Sequence, residues 1–139
     1  MLPRTGLAAL AGVLLAAAYA PFDVPWVIPV AAYDGRGRPA TRSNLGTSLG
    51  RRGLGAPGEW VESLRPGGGF RGGGGTSSAA AFVTGALALL ASLHPRAPAA
   101  ELRAAITAGG RRRAVAAPAL DGEGALAWLR ATTTLAGAA

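Results

Sequence analysis

Residues 72–90, GGGGTSSAAAFVTGALALL, decide how this chain is read. Four glycines run into Thr76-Ser77-Ser78, and an apolar, small-residue helix begins at once. Ala80, Val83, Ala86, Leu87, Leu90 and Leu93 recur at helical spacing. No charge falls between Ser78 and Leu93, which predicts a helix buried nearly all round. His94-Pro95 ends it, since proline blocks continuation. A serine at a helix N-terminus sits among backbone N–H groups that lack intrahelical partners, where the dipole favours negative charge. Such a place can stabilise an oxyanion formed when the hydroxyl attacks a carbonyl. The same pattern also suits an ordinary N-cap, for which Ser and Thr are preferred. A phosphate-binding loop needs a Lys after its last glycine, and the chain has none.

The flanks extend the pattern. WVIPVAAYD (26–34) reads as a buried strand ending at Asp34. GRGRPATRSNLG (35–46) is turn-rich. Ala56-Pro57-Gly58 reads as a tight turn before a short strand from Trp60 to Leu64. Residues 65–75 are a glycine-rich connection, either a hairpin or a mobile loop. Beyond the central helix, Pro98 suits the first turn of a helix over 98–108, stopped by Gly109-Gly110. Asp121 is placed to cap a last helix over 122–131.

These motifs, in this order, resemble the C-terminal part of the catalytic domain of the subtilisin-like serine peptidases, the subtilases of peptidase family S8. Their serine signature, G-T-S-x-A-[AS]-P-x-V-[AS]-G, stands here as Gly75 to Gly85, with Ala81 replacing Pro and Thr84 replacing a smaller residue. VIPVAAYD, SNLG, GAPGEWVES and LHPRAPAAELRAAI resemble the family's flanking strand, turn, loop and helix. A finer resemblance is to the subtilisin domains of cyanobactin-type peptide maturation.

The resemblance implies an α/β fold: a segment of parallel sheet with a buried central helix starting at the nucleophile. It implies Ser77 as that nucleophile, its backbone N–H as half of an oxyanion hole, Thr76 and Gly75 as the loop beside it, and Ala56, Pro57 and Gly58 as structural neighbours. It implies a peptide or protein substrate.

The family's D-[ST]-G and H-G-[TS]-H motifs, which carry the base and its orienting carboxylate, do not occur in the 139 residues. Asp23, Asp34 and Asp121 lack the right context. His94 is the only histidine and lies 17 residues after Ser77, which is about 25 Å along a helix. Where the family has a side-chain Asn in the oxyanion hole, alignment of AGVLLAAAYAP brings Ala20 or Pro21. The expectation is a piece of a serine peptidase that is inactive alone. The alternatives are a non-catalytic binding or structural module on the same fold, and a secreted basic protein with an accidental likeness.

Composition narrows the rest. There is no cysteine, which excludes disulfides and thiolate sites, and one histidine excludes a multi-histidine metal centre. No acidic cluster argues for calcium, and neither cofactor nor metal is expected. The formal charge is +7, with all 14 basic residues arginine. The scattered arginines lack an aromatic platform, so nucleic acid is not expected as a partner. Arg111-Arg112-Arg113 reads as a solvated cluster near a helix end.

Residues 1–25 remain open between a signal peptide, with Ala18-Tyr19-Ala20 at a cleavage site, and a helix end plus buried strand. The first reading would make the chain secreted, and the compartment is otherwise undetermined. The apolar run is short for a stable membrane span. Residues 26–131 are expected to form the family domain, and 132–139 a flexible tail.

Overall fold

A computed structural model of the protein describes residues 27–136. The signal-like segment, Ala20, Pro21 and Asp23 lie outside the described residues.

Strand β1, Val30–Tyr33, pairs in parallel with β2, Leu54–Pro57, in the register Val30 to Leu54 through Tyr33 to Pro57. Between them runs a short helix, α1, Thr47–Arg52. A third chain segment extends the sheet at Gly55, which receives the N–H of Leu120 at 2.6 Å and donates to Pro118 at 2.7 Å. Strand β3, Val61–Leu64, and β4, Phe70–Gly73, form an antiparallel hairpin. Its turn places Gly67, Gly68 and Gly69 at positive φ, a conformation open to glycine. Helices α2, Thr76–Leu93, α3, Ala99–Ala108, and α4, Gly122–Ala136, complete the described chain.

The two faces of the parallel pair are covered differently. Ala32, Leu54 and Ala56 join Ala79, Val83 and Leu90 of α2, Ala105 and Ile106 of α3, and Ala125 and Leu129 of α4 in the main core. Alanines at 32, 56 and 79 let helix and sheet approach closely. Ala31 and Tyr33 pack with Leu49 and Ala117 in a smaller cluster. There the Tyr33 hydroxyl donates to the Ala117 carbonyl, and Gly55 leaves room for the tyrosine ring. Burial of an apolar side chain contributes roughly 1.5–3 kcal/mol. The large side chains that are fully buried are Leu54, Ile106 and Leu129, so the core is thin.

Several expectations need correction. Helix α2 is buried on one face only. Phe82, Leu89 and Leu93 are exposed by 44%, 67% and 60%, because β1, β2, α3 and α4 all pack on the same side. A run without charges measures what a helix could bury, and the partners decide what it does bury. In length and composition α2 would also suffice to cross a membrane, yet its packing on β1 and β2 makes it the core helix of the domain. Ala56 and Pro57 are not a turn but the end of β2. Helix α1, absent from the sequence reading, follows the SNLG turn. Trp60 stands outside β3 at φ 56. Pro98 caps α3 from outside rather than opening its first turn. The glycine-rich connection is the hairpin. Helix α4 continues past Ala131 to Ala136, where Thr132 turns its hydroxyl onto the carbonyls of Trp128 and Leu129.

Candidate active site

The head of α2 is fixed by glycine. Gly75 lies at φ 126, in the region that other residues avoid. Its N–H donates to the Gly58 carbonyl at 2.6 Å, and its own carbonyl receives the N–H of Ala79 at 3.2 Å. The helix therefore begins at Thr76, with Ser77 second. No side chain caps it. The N–H groups of Thr76, Ser77 and Ser78 precede the first intrahelical bond and point away from the helix.

Ser77 lines a cleft of about 540 Å³ together with Thr76, Gly75, Gly58, Arg42 and the pair Glu59-Trp60. Ala32 and Ala40 form its floor, and Gly72 to Gly74 complete the wall. The cleft lies beyond the carboxyl ends of β1 and β2, where open α/β sheets place their ligands. Gly58 must be glycine for the walls to meet: a Cβ there would come 2.5 Å from the Ala32 Cβ and 2.8 Å from the Gly75 carbonyl oxygen.

Ser43 explains the SNLG turn. Its hydroxyl accepts the N–H of Ala32 at 2.9 Å and donates to the Ala32 carbonyl at 3.0 Å. The Ala40 N–H also reaches that carbonyl, at 2.8 Å. The loop thus substitutes for a neighbouring strand beside the cleft floor.

Of the residues singled out from sequence, the structure brings Gly58, Gly75, Thr76 and Ser77 to one cleft. Ala56 and Pro57 lie in the strand that leads to it and do not line it. His94 caps the far end of α2 and borders a separate hollow with Glu101 and Thr132. Asp34 is held in its own turn. It accepts the N–H groups of Arg36 and Arg38, each at 2.9 Å, and pairs with the Arg38 guanidinium at 2.9 Å. The Arg38 backbone N–H leads the interactions that lower its pKa from the usual 3.8. Asp121 caps α4, accepting the Gly124 N–H at 2.8 Å. Neither carboxylate lines the cleft. Among the described residues no group of acidic or imidazole side chains could hold a metal.

Arg42, Glu59 and Trp60 were missed in the sequence reading. Glu59 and Trp60 follow directly on Ala56-Pro57-Gly58, which offered a clue. Arg42 offered none, because only the crossover between the strands brings its loop to the cleft.

The model of the subtilase family matches residues 11–121. The chain belongs to the subtilases. This removes the reading of an accidental likeness. Among curated proteins none matches this subtilase in sequence. Solved structures do. The self-cleaved protease domain of PatA is similar at 32% identity and a TM-score of 0.69, over 80% of this chain and 44% of that one. The prenylagaramide maturation protease PagA has 28% identity and a TM-score of 0.69, over 78% and 44%. MycP1 without its N-terminal propeptide has 28% identity and a TM-score of 0.64, over 79% and 39%. The chain spans less than half the length of each. The partial subtilisin-like α/β fold is thereby established, and two of these relatives, PatA and PagA, are proteases.

Proposed function

We propose that this subtilase segment carries the nucleophile of a serine endopeptidase and is inactive until other polypeptide supplies the base. The observation that carries the reading is the position of Ser77, second in α2, facing a cleft at the strand ends. In the proposed reaction the Ser77 Oγ attacks the scissile carbonyl carbon. The hydroxyl proton passes to a histidine from outside these residues. The oxyanion accepts the Ser77 N–H, and collapse expels the amine as it takes the proton. Water then repeats the sequence on the acyl-enzyme.

A serine hydroxyl without a base is a weak nucleophile. Asp34 and Asp121 are occupied elsewhere, and His94 lies at the far end of α2. The exposed stripe of Phe82, Leu89 and Leu93 is an apolar seam on which the completing segment would pack, since no partner covers that helix face among the described residues. Residues 26–131 are taken as the unit that it completes. The substrate class, by analogy with the maturation proteases PatA and PagA, is a precursor peptide.

The test is to co-express the chain with a subtilase segment bearing the D-[ST]-G and H-G-[TS]-H motifs and to assay cleavage of a peptide library. Cleavage that needs both chains and disappears in Ser77→Ala supports the proposal. Cleavage that survives Ser77→Ala overturns it.

A further inference from the structure

Two arginine runs that the candidate site does not use meet elsewhere in the fold. Arg51 and Arg52 occupy the last turn of α1, and Arg111, Arg112 and Arg113 follow α3. Arg112 joins them. Its guanidinium donates to the carbonyls of Gly50 at 3.4 Å, Gly53 at 3.2 Å and Thr107 at 2.7 Å. These carbonyls lie at the C-terminal ends of α1 and α3, where a cation is favoured. The backbones are equally close: a Cβ on Gly50 would lie 2.5 Å from the Ala114 carbonyl oxygen. Gly46 donates its N–H to the Val115 carbonyl at 3.1 Å. Residues 46–53 and 111–115 therefore form one fixed surface.

Arg112 is turned inward and engaged with carbonyls. Arg51, Arg111 and Arg113 are exposed, and among the described residues none of the three is in an ion pair. Gathering like charges on a fixed frame raises the local positive potential, which an anionic partner relieves. Leu45 and Val115 flank the cluster and are exposed by 45% and 46%. The surface lies where β2 begins, and the Ser77 cleft lies where β2 ends. About 13 Å of strand separates them.

We propose that this surface docks an acidic polypeptide segment bearing apolar residues, independently of the Ser77 cleft. The aliphatic pair beside the cations suits a polypeptide. Among the described residues the large exposed aromatics, Trp60, Phe70 and Phe82, belong to the hairpin region and α2, so none of them gives the cluster a stacking platform for nucleic-acid bases. Two aliphatic side chains give a lipid surface little to bury.

The experiment is fluorescence anisotropy of a labelled peptide of mixed Glu and Leu against the full 139-residue chain at low salt. The double variant Arg51→Glu, Arg113→Glu should weaken binding by about tenfold or more, as expected when a cluster rather than overall charge steers an anion. The control Arg65→Glu, Arg71→Glu makes the same charge change on the hairpin and should cost less than about twofold. Leu45→Ser with Val115→Ser should weaken binding several-fold. Circular dichroism checks each fold, and if the charge reversals unfold the chain, Arg51→Gln with Arg113→Gln is compared with Arg65→Gln and Arg71→Gln by the same criterion of unequal loss. Equal loss from patch and hairpin variants would overturn the proposal. So would tighter binding of oligo-dT or of phosphatidylserine vesicles than of the peptide.

Discussion

Gly75 donates its N–H to the carbonyl of Gly58 at 2.6 Å, so the head of the serine-bearing helix is moored where β2 ends. Both glycines are required there for different reasons. Gly75 holds φ 126, and Gly58 faces Ala32 with no room for a methyl group. Gly75→Ala should destabilise the chain through backbone strain by about 1–3 kcal/mol. Gly58→Ala should do so through overpacking, by a similar ~1–3 kcal/mol. Urea denaturation checks both, and unchanged midpoints would show that the mooring is looser than described.

Ser43 provides the second support of the cleft. Replacing it with Ala leaves the Ala32 N–H without its hydroxyl partner and removes one of two donors to the Ala32 carbonyl. The expected loss is about 1–2 kcal/mol. Ser43→Thr keeps the hydroxyl and should recover part of it, which separates the hydrogen bonds from simple packing.

The helix that carries Ser77 was legible because four glycines, small hydroxyl residues and an uncharged apolar run coincide. The caps at His94-Pro95 and Asp121 were legible because capping chemistry is local. Strand β2 was not, because Ala56-Pro57-Gly58 carries turn residues although the first two pair with β1. Helix α1 contains one glycine and two arginines in six residues and has no periodic apolar face to reveal it. The exposed side of α2 was misread because absence of charge was equated with burial. In the cleft, Ser77 was legible from its motif. Arg42 reaches it only through the chain crossover, a tertiary event that local sequence does not encode.

The Asp34 turn should titrate visibly. Its carboxyl is held below the usual 3.8, chiefly by the Arg38 backbone N–H, then by the Arg36 N–H and the Arg38 guanidinium. A depressed folded pKa contributes stability above the unfolded value, and that contribution is lost as pH falls through the folded one. The window therefore lies below pH 3.8. Carboxyl NMR should show Asp34 titrating below that value, and Arg38→Ala should move it upward. An Asp34 that titrates at or above 3.8 would contradict the hydrogen-bonded turn.

The bare stripe of α2 makes a separate prediction. Leu89→Lys and Leu93→Lys replace exposed apolar side chains, so they should leave the stability of the isolated chain within about 0.5 kcal/mol. They should raise its solubility and weaken assembly with a completing subtilase segment. A marked loss of stability in the isolated chain would mean that the stripe is already covered within it.

The most direct measurement is labelling of Ser77 by a fluorophosphonate, read by mass spectrometry of the modified peptide. The account predicts negligible labelling of the chain alone, labelling at Ser77 once a segment bearing the histidine and aspartate motifs is bound, and none in Ser77→Ala. Rapid labelling of Ser77 in the isolated chain would contradict the requirement for an outside base, and labelling of another residue in the completed assembly would contradict Ser77 as the nucleophile.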